Sequence, residues 1–201
     1  MVEEEKVMEE IKVIFLDIDG VLNFKGHLED VRGDFCLTDE QFDKSELINR
    51  QKLNLLSTFV KMTGAKVVLS SSWRVGWQNE KEIPVADEIY KKTDELFEEN
   101  GIRIYDTTTS KIRDWNENAR GNQISDWLEH HPETTEYVIF DDTVRDIENV
   151  GNLSLHLVQT DPDYGLCAEN ISAASKILRN SCFIYSLFSD DEFDIPMAVN
   201  F

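Results

Sequence analysis

The chain has 201 residues, in which 40 Asp and Glu outnumber 20 Lys and Arg, so its formal net charge is -20. A surface this acidic repels the phosphates of nucleic acids and of anionic lipids, which proteins bind through basic patches. With 41% hydrophobic and 10% aromatic residues, the chain has too many core-forming residues for a disordered acidic tail, and its length suits one domain. The composition therefore predicts a folded single-domain protein and disfavours nucleic-acid and membrane partners.

The N-terminal sequence and the cysteines bear on the cellular compartment. The start of the chain, MVEEEKVMEE, has neither the basic nor the apolar region of a signal peptide, and no apolar run approaches the ~18 residues that span a bilayer. Cys36, Cys167 and Cys182 are odd in number and widely spaced, without a CxxC pair that would indicate a zinc or redox site. These features predict a soluble protein that is cytoplasmic or is exported without a cleavable signal peptide.

Hydrophobic runs alternate along the chain between the spacing of strands and the spacing of helices. The predicted strands are Ile11–Leu16, Lys66–Leu69, Ile102–Tyr105, Tyr137–Phe140 and Leu155–Val158. The predicted helices are Ser45–Thr63, Val85–Glu99, Gly121–His131, Thr143–Asn149 and Ala168–Arg179. The stretches 24–44 and 106–119 are expected to be irregular. This alternation predicts an α/β fold of three Rossmann-like layers, with a central, mostly parallel five-stranded sheet and helices on both faces.

Polar residues follow three of the predicted strands at the point where each strand ends. They are Asp17 and Asp19, Ser70 and Ser71, and Asp141 and Asp142. Since Asp and Gly are also turn formers, a single Asp-x-Asp pair carries little weight. The carboxyl ends of parallel strands, however, meet at one edge of the sheet, where ligands bind in such folds. Four carboxylates converging there repel one another unless a cation joins them, and an all-oxygen ligand set suits Mg²⁺.

Four motifs in the chain resemble those of the haloacid dehalogenase (HAD) superfamily of phosphotransferases. They are VIFLDIDGVLN at 13–23, KVVLSSSWR at 66–74, a basic residue within KIRDWNENARGNQISDWL at 111–128, and YVIFDD at 137–142 followed by Asp146. The most similar group is the small capless HAD domains of nucleic-acid repair proteins and of some protein phosphatases. The resemblance implies a capless HAD-type phosphatase domain over 11–180, between an acidic extension at 1–10 and an acidic, aromatic tail at 181–201.

The resemblance also implies roles for individual residues. Asp17 is expected to be the nucleophile, which attacks phosphorus and becomes an aspartyl phosphate. Asp19 is expected to protonate the leaving oxygen and then to deprotonate the attacking water, and its backbone carbonyl to reach the metal. Members that break carbon–halogen bonds lack this second Asp, so its presence favours phosphate chemistry. The expected Mg²⁺ ligands are Asp17, Asp19, Asp141 and Asp142.

The remaining site residues are expected to hold the phosphate. Ser70 occupies the family position for a hydroxyl that binds a phosphate oxygen, with Ser71 as the alternative if the strand ends one residue later. The basic residue is either Arg120, which has the usual placement before a helix, or Lys111, which has the more usual residue type. The expected substrate contacts are Gly20, Ser71, Trp73 and Arg74. For Arg74, an ion pair with a surface acid is the structural alternative.

These expectations describe a Mg²⁺-dependent phosphomonoester hydrolase with an open site, suited to a phosphate on a macromolecule. The net charge disfavours a nucleotide or polynucleotide end and favours a phosphoprotein, with phosphotyrosine preferred because it reaches furthest into an open site. It also predicts that added salt raises the turnover of anionic substrates. In a different class, the chain would be an inactive phosphate-binding or regulatory module, although inactive descendants usually lack one of the Asp residues.

Overall fold

A computed structural model describes residues 9–34, 44–78, 84–108 and 119–179. Most of the predicted acidic extension and all of the predicted C-terminal tail lie outside these residues, as do Lys111, Cys36 and Cys182. The predicted domain boundaries therefore remain predictions.

The described residues form one five-stranded sheet in which every pairing is parallel. Its strands are β1 (Ile11–Leu16), β2 (Lys66–Leu69), β3 (Ile104–Thr107), β4 (Thr134–Asp141) and β5 (Leu157–Gln159), in the order β3-β2-β1-β4-β5. With β1 in the centre, the segments that follow β2 and β4 flank the segment that follows β1. Backbone bonds continue this pairing beyond the strands, since Ser70 N donates to Leu16 O at 2.9 Å and Asp17 N donates to Phe140 O at 2.9 Å.

Helices cover both faces of the sheet. They are α1 (Lys25–Asp34), α2 (Arg50–Thr63), α3 (Arg74–Gln78), α4 (Pro84–Glu99), α5 (Ala119–His130) and α6 (Ala168–Ile177). Residues of α2, α4 and α6 belong to one buried cluster, and residues of α5 belong to the other. This arrangement confirms the predicted α/β fold with a parallel five-stranded sheet.

The alternation of side chains along β1 explains why the sheet has two cores. Ile14 and Leu16 point into the cluster with α2, whereas Val13 and Phe15 point into the cluster with α5. All four side chains are fully buried. A strand that is apolar at consecutive positions is typical of a parallel sheet covered on both faces.

The start of α2 differs from the prediction, which placed it at Ser45. Lys44–Leu47 forms a separate 3₁₀ turn. The helix begins after Asn49, whose side chain accepts hydrogen bonds from the backbone of Gln51 and Lys52 and so caps the free N–H groups. The helix ends at Gly64, which has a φ of 67°, as glycine at this position commonly does.

Other predicted elements were wrong in position or type. β3 begins at Ile104 rather than Ile102, because the Ile102 backbone N–H bonds to Phe97 O at 2.9 Å and closes the turn after α4. The predicted helix at 143–149 consists of consecutive turns instead. β5 begins at Leu157 rather than Leu155, because 153–156 forms a 3₁₀ turn. The stretch after β1, which was expected to be irregular, contains α1.

The described part of the chain contains neither a separate cap domain nor a helix that is long and apolar enough to cross a membrane. After β1 it contributes only α1 and the 3₁₀ turn before α2.

Core packing next to the strand ends gives a stability prediction. Phe140 is fully buried and contacts Phe59 edge to face, with 6.0 Å between ring centroids. We expect Phe140→Ala to lower the free energy of unfolding by about 3–5 kcal/mol, because it removes a large buried side chain. Leu155→Ala is the control: Leu155 is 71% exposed, so a change within about 0.5 kcal/mol is expected. Urea denaturation measures the free energy of unfolding of both variants. An equal decrease in the two variants would contradict this assignment of the core.

Candidate functional site

Three carboxylates meet where β1 and β4 end. Asp17, Asp141 and Asp142 each offer an oxygen within 4.8 Å of the others. Asp17 is 3% exposed, Asp141 is fully buried and Asp142 is partly buried. The strand ends predicted that four carboxylates, these three and Asp19, converge here, and the structure brings three of the four together.

Arg120 lies between two of these carboxylates. Its Nη1 atom contacts Asp17 Oδ2 and is 2.6 Å from Asp141 Oδ2. The start of α5 is held there because Gly121 N donates to Asp146 O at 2.8 Å. A Cβ atom on Gly121 would stand 2.8 Å from that same oxygen, so the close approach requires glycine. The alternative basic residue, Lys111, lies outside the described residues.

Burial and charge shift the pKa values of this group. Burial lowers the pKa of Arg120, but the Asp17 and Asp141 carboxylates outweigh it, so the pKa lies above its ordinary value and the guanidinium stays charged. Burial raises the pKa of Asp141, although Arg120 opposes the shift. Burial and then the negative charge of Asp17 raise the pKa of Asp142. These carboxylates therefore retain unfavourable interactions that a further cation would relieve.

The same three carboxylates fit a Mg²⁺ ion in their chemistry. Mg²⁺ binds oxygen ligands and is commonly held in proteins by one or two carboxylates together with substrate phosphate. Asp17, Asp141 and Asp142 would hold the ion. Asp142 is the most open of the three, because Asp17 and Asp141 both contact Arg120 and each accepts a backbone N–H at 2.8 Å. Asp142 accepts a hydrogen bond from Thr143 Oγ1 at 3.2 Å and has no ion pair among the described residues.

The side chain of Asp19 is exposed and does not belong to this carboxylate group. One of its oxygens accepts a hydrogen bond from Trp73 Nε1 at 3.0 Å, and the other accepts one from Asn23 Nδ2 at 2.8 Å. Asn23 is itself fixed, because its Oδ1 accepts a hydrogen bond from Gly20 N at 3.1 Å. Asp19 is therefore held in one orientation at the edge of the site. A metal contact through its backbone carbonyl remains a prediction.

The two serines after β2 have different environments. Ser70 is fully buried, and its hydroxyl has no hydrogen-bond partner among the described residues. A buried hydroxyl without a partner costs roughly 1–3 kcal/mol, which is unusual unless a ligand provides the partner. The Ser71 hydroxyl accepts a bond from Trp73 N at 3.3 Å.

The guanidinium of Arg74 donates hydrogen bonds to other groups of the protein. Its Nη1 donates to Ser71 O at 2.7 Å, and its Nη2 donates to Gln123 Oε1 at 2.8 Å. Burial, and then the neighbouring charge of Arg120, lower its pKa. Arg74 thus supports the loop that carries Ser70, and the alternative considered for it, an ion pair with a surface acid, is absent among the described residues. A direct contact with substrate remains a prediction for this residue.

Gly20 packs against the metal-site candidate Asp142. Its φ is +71°, and a Cβ atom there would stand 2.5 Å from Asp142 Cγ. Its carbonyl accepts a bond from Thr160 Oγ1 at 2.8 Å. Gly20 therefore fixes the distance between the segments after β1 and β4. The sequence predicted a contact with substrate for this residue, which remains a prediction.

Sequence reasoning did not identify three residues that support the site: Asn23, Gln123 and Thr160. Asn23 and Gln123 lie inside the quoted motifs, but nothing in their spacing assigns them a bond. Thr160 directly follows β5. The rule that ligands gather at the carboxyl ends of strands would have included it, had the end of β5 been predicted correctly.

Substitutions at two glycines with left-handed φ angles distinguish the effect of backbone strain from the effect of crowding in the site. Gly20→Ala and Gly64→Ala both place a side chain at positive φ, which costs about 1–2 kcal/mol, but a Cβ at Gly64 meets nothing within 4 Å. We expect Gly20→Ala to lower stability more than Gly64→Ala and to weaken Mg²⁺ binding, because it displaces Asp142. Urea denaturation and isothermal titration with Mg²⁺ measure these effects. Equal Mg²⁺ binding by the two variants would contradict the proposed contact.

Comparison with known families agrees with the geometry. The family model described as the HAD domain in Swiss Army Knife RNA repair proteins matches residues 13–171, from β1 into α6, and so includes every candidate site residue. No curated protein matches the chain. The match and the parallel sheet support activity as a phosphatase-type hydrolase. The chain belongs to the HAD superfamily, in the family of HAD domains in Swiss Army Knife RNA repair proteins.

Proposed function

We propose that this protein is a Mg²⁺-dependent phosphomonoester hydrolase that forms an aspartyl phosphate on Asp17 and acts on the phosphorylated end of a polynucleotide. The observation that carries the catalytic part is the position of Asp17, which contacts Arg120 and lies beside both Asp142 and the segment that carries the unpartnered Ser70 hydroxyl. The family's occurrence in RNA repair proteins supports the choice of substrate.

In the first step a carboxylate oxygen of Asp17 attacks phosphorus, and the bond from phosphorus to the leaving oxygen breaks. The Asp17 backbone is fixed by its bond to Phe140 O, and its Oδ1 accepts the Ile18 N–H at 2.8 Å, which directs the side chain. Arg120 and the Ser70 hydroxyl would bind the other phosphoryl oxygens. Phosphoryl transfer depends mainly on such positioning and charge stabilisation.

Asp19 would supply the proton for the leaving oxygen in that step. In the second step it would take a proton from water, whose oxygen attacks phosphorus and releases phosphate and free Asp17. Trp73 and Asn23 would hold the Asp19 carboxylate in place during both transfers. Bound Mg²⁺ would supply positive charge to a phosphate oxygen and to the Asp17 carboxylate.

A phosphoprotein is the second candidate substrate, and the net charge of -20 favours it. Half of that excess lies outside the described residues, for example in Glu3, Glu4 and Glu5 and in the cluster Asp190, Asp191, Glu192 and Asp194. Net charge governs approach from a distance, whereas the charges beside the site govern contact. The family match therefore favours a polynucleotide end over a phosphoprotein, despite the net charge.

The catalytic proposal predicts the effect of two aspartate substitutions. Asp17→Asn should abolish the Mg²⁺-dependent release of phosphate from p-nitrophenyl phosphate, because it removes the nucleophile. Asp126→Asn is the control, since Asp126 lies on α5 and its carboxylate forms an ion pair with His130. A phosphate-release assay measures both variants. Turnover by Asp17→Asn at the wild-type rate would refute the mechanism, and an inactive wild type would favour the regulatory-module alternative.

The hydrogen bond from Trp73 to Asp19 predicts a dependence on the leaving group. Trp73→Phe should lower kcat/KM for an alkyl phosphate about tenfold more than for p-nitrophenyl phosphate, because a poor leaving group depends on protonation by Asp19. Trp127→Phe is the matched control: Trp127 is 5% exposed and its Nε1 donates to Asp106 Oδ2 at 2.6 Å, away from the site.

Steady-state kinetics with both substrates gives, for each variant, the ratio of the losses in kcat/KM on the two substrates. An equal loss on the two substrates would mean that Trp73 contributes only to folding or to substrate binding, and not to proton transfer by Asp19.

A further inference from the structure

Positive charge is concentrated in one part of this acidic chain. Residues 44–78 contain six basic residues and a single acid, Glu46. The basic residues are Lys44, Arg50, Lys52, Lys61, Lys66 and Arg74. Helix α2, which lies within this segment, has no acidic residue. The charge is therefore distributed unevenly along the chain, despite the net charge.

Two of these lysines, Lys44 and Lys52, lie over aromatic rings close to the candidate site. Lys44 Nζ is 5.4 Å from the centroid of Trp73 and 5.2 Å from that of Tyr90, whose hydroxyl it bonds at 3.4 Å. Lys52 Nζ is 5.2 Å from the centroid of Phe24. We call these five residues the basic-aromatic patch.

The patch adjoins Asp19 on two sides. Trp73, beneath Lys44, donates its indole N–H to Asp19. Phe24, beneath Lys52, directly follows Asn23, which donates to the other oxygen of Asp19. Lys44 is thus connected through the Trp73 ring to the residue proposed to protonate the leaving group, and Lys52 lies over the ring that is next in sequence to Asn23. The part of a substrate beyond the scissile phosphate leaves the site on the side of that residue.

Neither lysine has a carboxylate partner among the described residues. A lysine over an aromatic ring gains roughly 0.5–1 kcal/mol from the ring at an exposed site and keeps N–H donors for a ligand. Phe24 and Tyr90 are partly exposed. Cations beside accessible rings are the combination that binds single-stranded nucleic acids, in which phosphates and base faces alternate.

We infer that the basic-aromatic patch binds the sugar-phosphate chain and bases next to the terminal phosphate of a single-stranded polynucleotide. The inference rests on the proposed function for the choice of substrate. It also reverses the expected salt dependence: screening weakens the attraction of the patch, so salt lowers affinity for the oligonucleotide. A phosphopeptide with basic flanks would be repelled by the same lysines.

The test is a binding measurement that does not require turnover. Fluorescence anisotropy on the full chain without divalent cations gives Kd for a labelled single-stranded RNA oligonucleotide that ends in a 3′-phosphate. We expect Lys44→Gln/Lys52→Gln to raise Kd roughly tenfold, and to reduce the slope of log Kd against log salt by about 1.4, or about 0.7 for each lost phosphate contact. Lys44→Arg/Lys52→Arg should retain the wild-type Kd, because it keeps both charges.

Lys61→Gln/Lys66→Gln is the matched control, with the same change in net charge. Lys66 also lies over a ring, 5.8 Å from the Tyr105 centroid, but it begins β2, at the opposite end of that strand from Ser70. We expect this variant to bind as the wild type does. Equal weakening by the two Gln pairs, or tighter binding of a basic-flanked phosphotyrosine peptide than of the RNA, would overturn the inference. Specific RNA binding without hydrolysis of p-nitrophenyl phosphate would support the patch and refute the proposed function.

Discussion

The ion pairs of Arg120 with Asp17 and Asp141 are the interaction on which the site depends. Moving a carboxylate out of water costs several kcal/mol unless a partner replaces the lost hydration, and here two carboxylates are buried together. Arg120 provides that partner only because the start of α5 is fixed on the loop after β4 by the close contact of Gly121 with Asp146. The same guanidinium is then in place to bind a phosphoryl oxygen.

The acidic residues of the chain have two separate effects in this structure. Asp17, Asp141 and Asp142 form a compact group whose repulsion a divalent cation would reduce. Most other acids lie elsewhere on the chain and repel anions at long range, whereas the basic-aromatic patch adjoins the site. Under physiological salt, charges beyond about 8 Å are largely screened, so the local surface has more influence on a bound substrate than the net charge.

Much of the fold and the carboxylate group could be predicted from the sequence, because apolar runs of strand length mark the strands and a short polar sequence directly follows each one. Several contacts that could not be predicted join distant segments. The bond from Trp73 to Asp19 joins residues 54 positions apart, and the one from Thr160 to Gly20 joins residues 140 apart. The start of α2 was misplaced because Ser45 and Asn49 are both good capping residues, and only the backbone geometry shows that Asn49 caps the helix.

The central claim is that phosphate is transferred to the carboxylate of Asp17. Borohydride reduces an acyl phosphate to an alcohol, so quenching the enzyme during turnover of p-nitrophenyl phosphate in Mg²⁺, followed by reduction and peptide mass spectrometry, locates the phosphorylated residue. Transfer to Asp17 predicts homoserine at position 17 and unchanged aspartate at positions 19, 141 and 142. Homoserine at any of those other positions, or unmodified protein during continuous phosphate release, would contradict it.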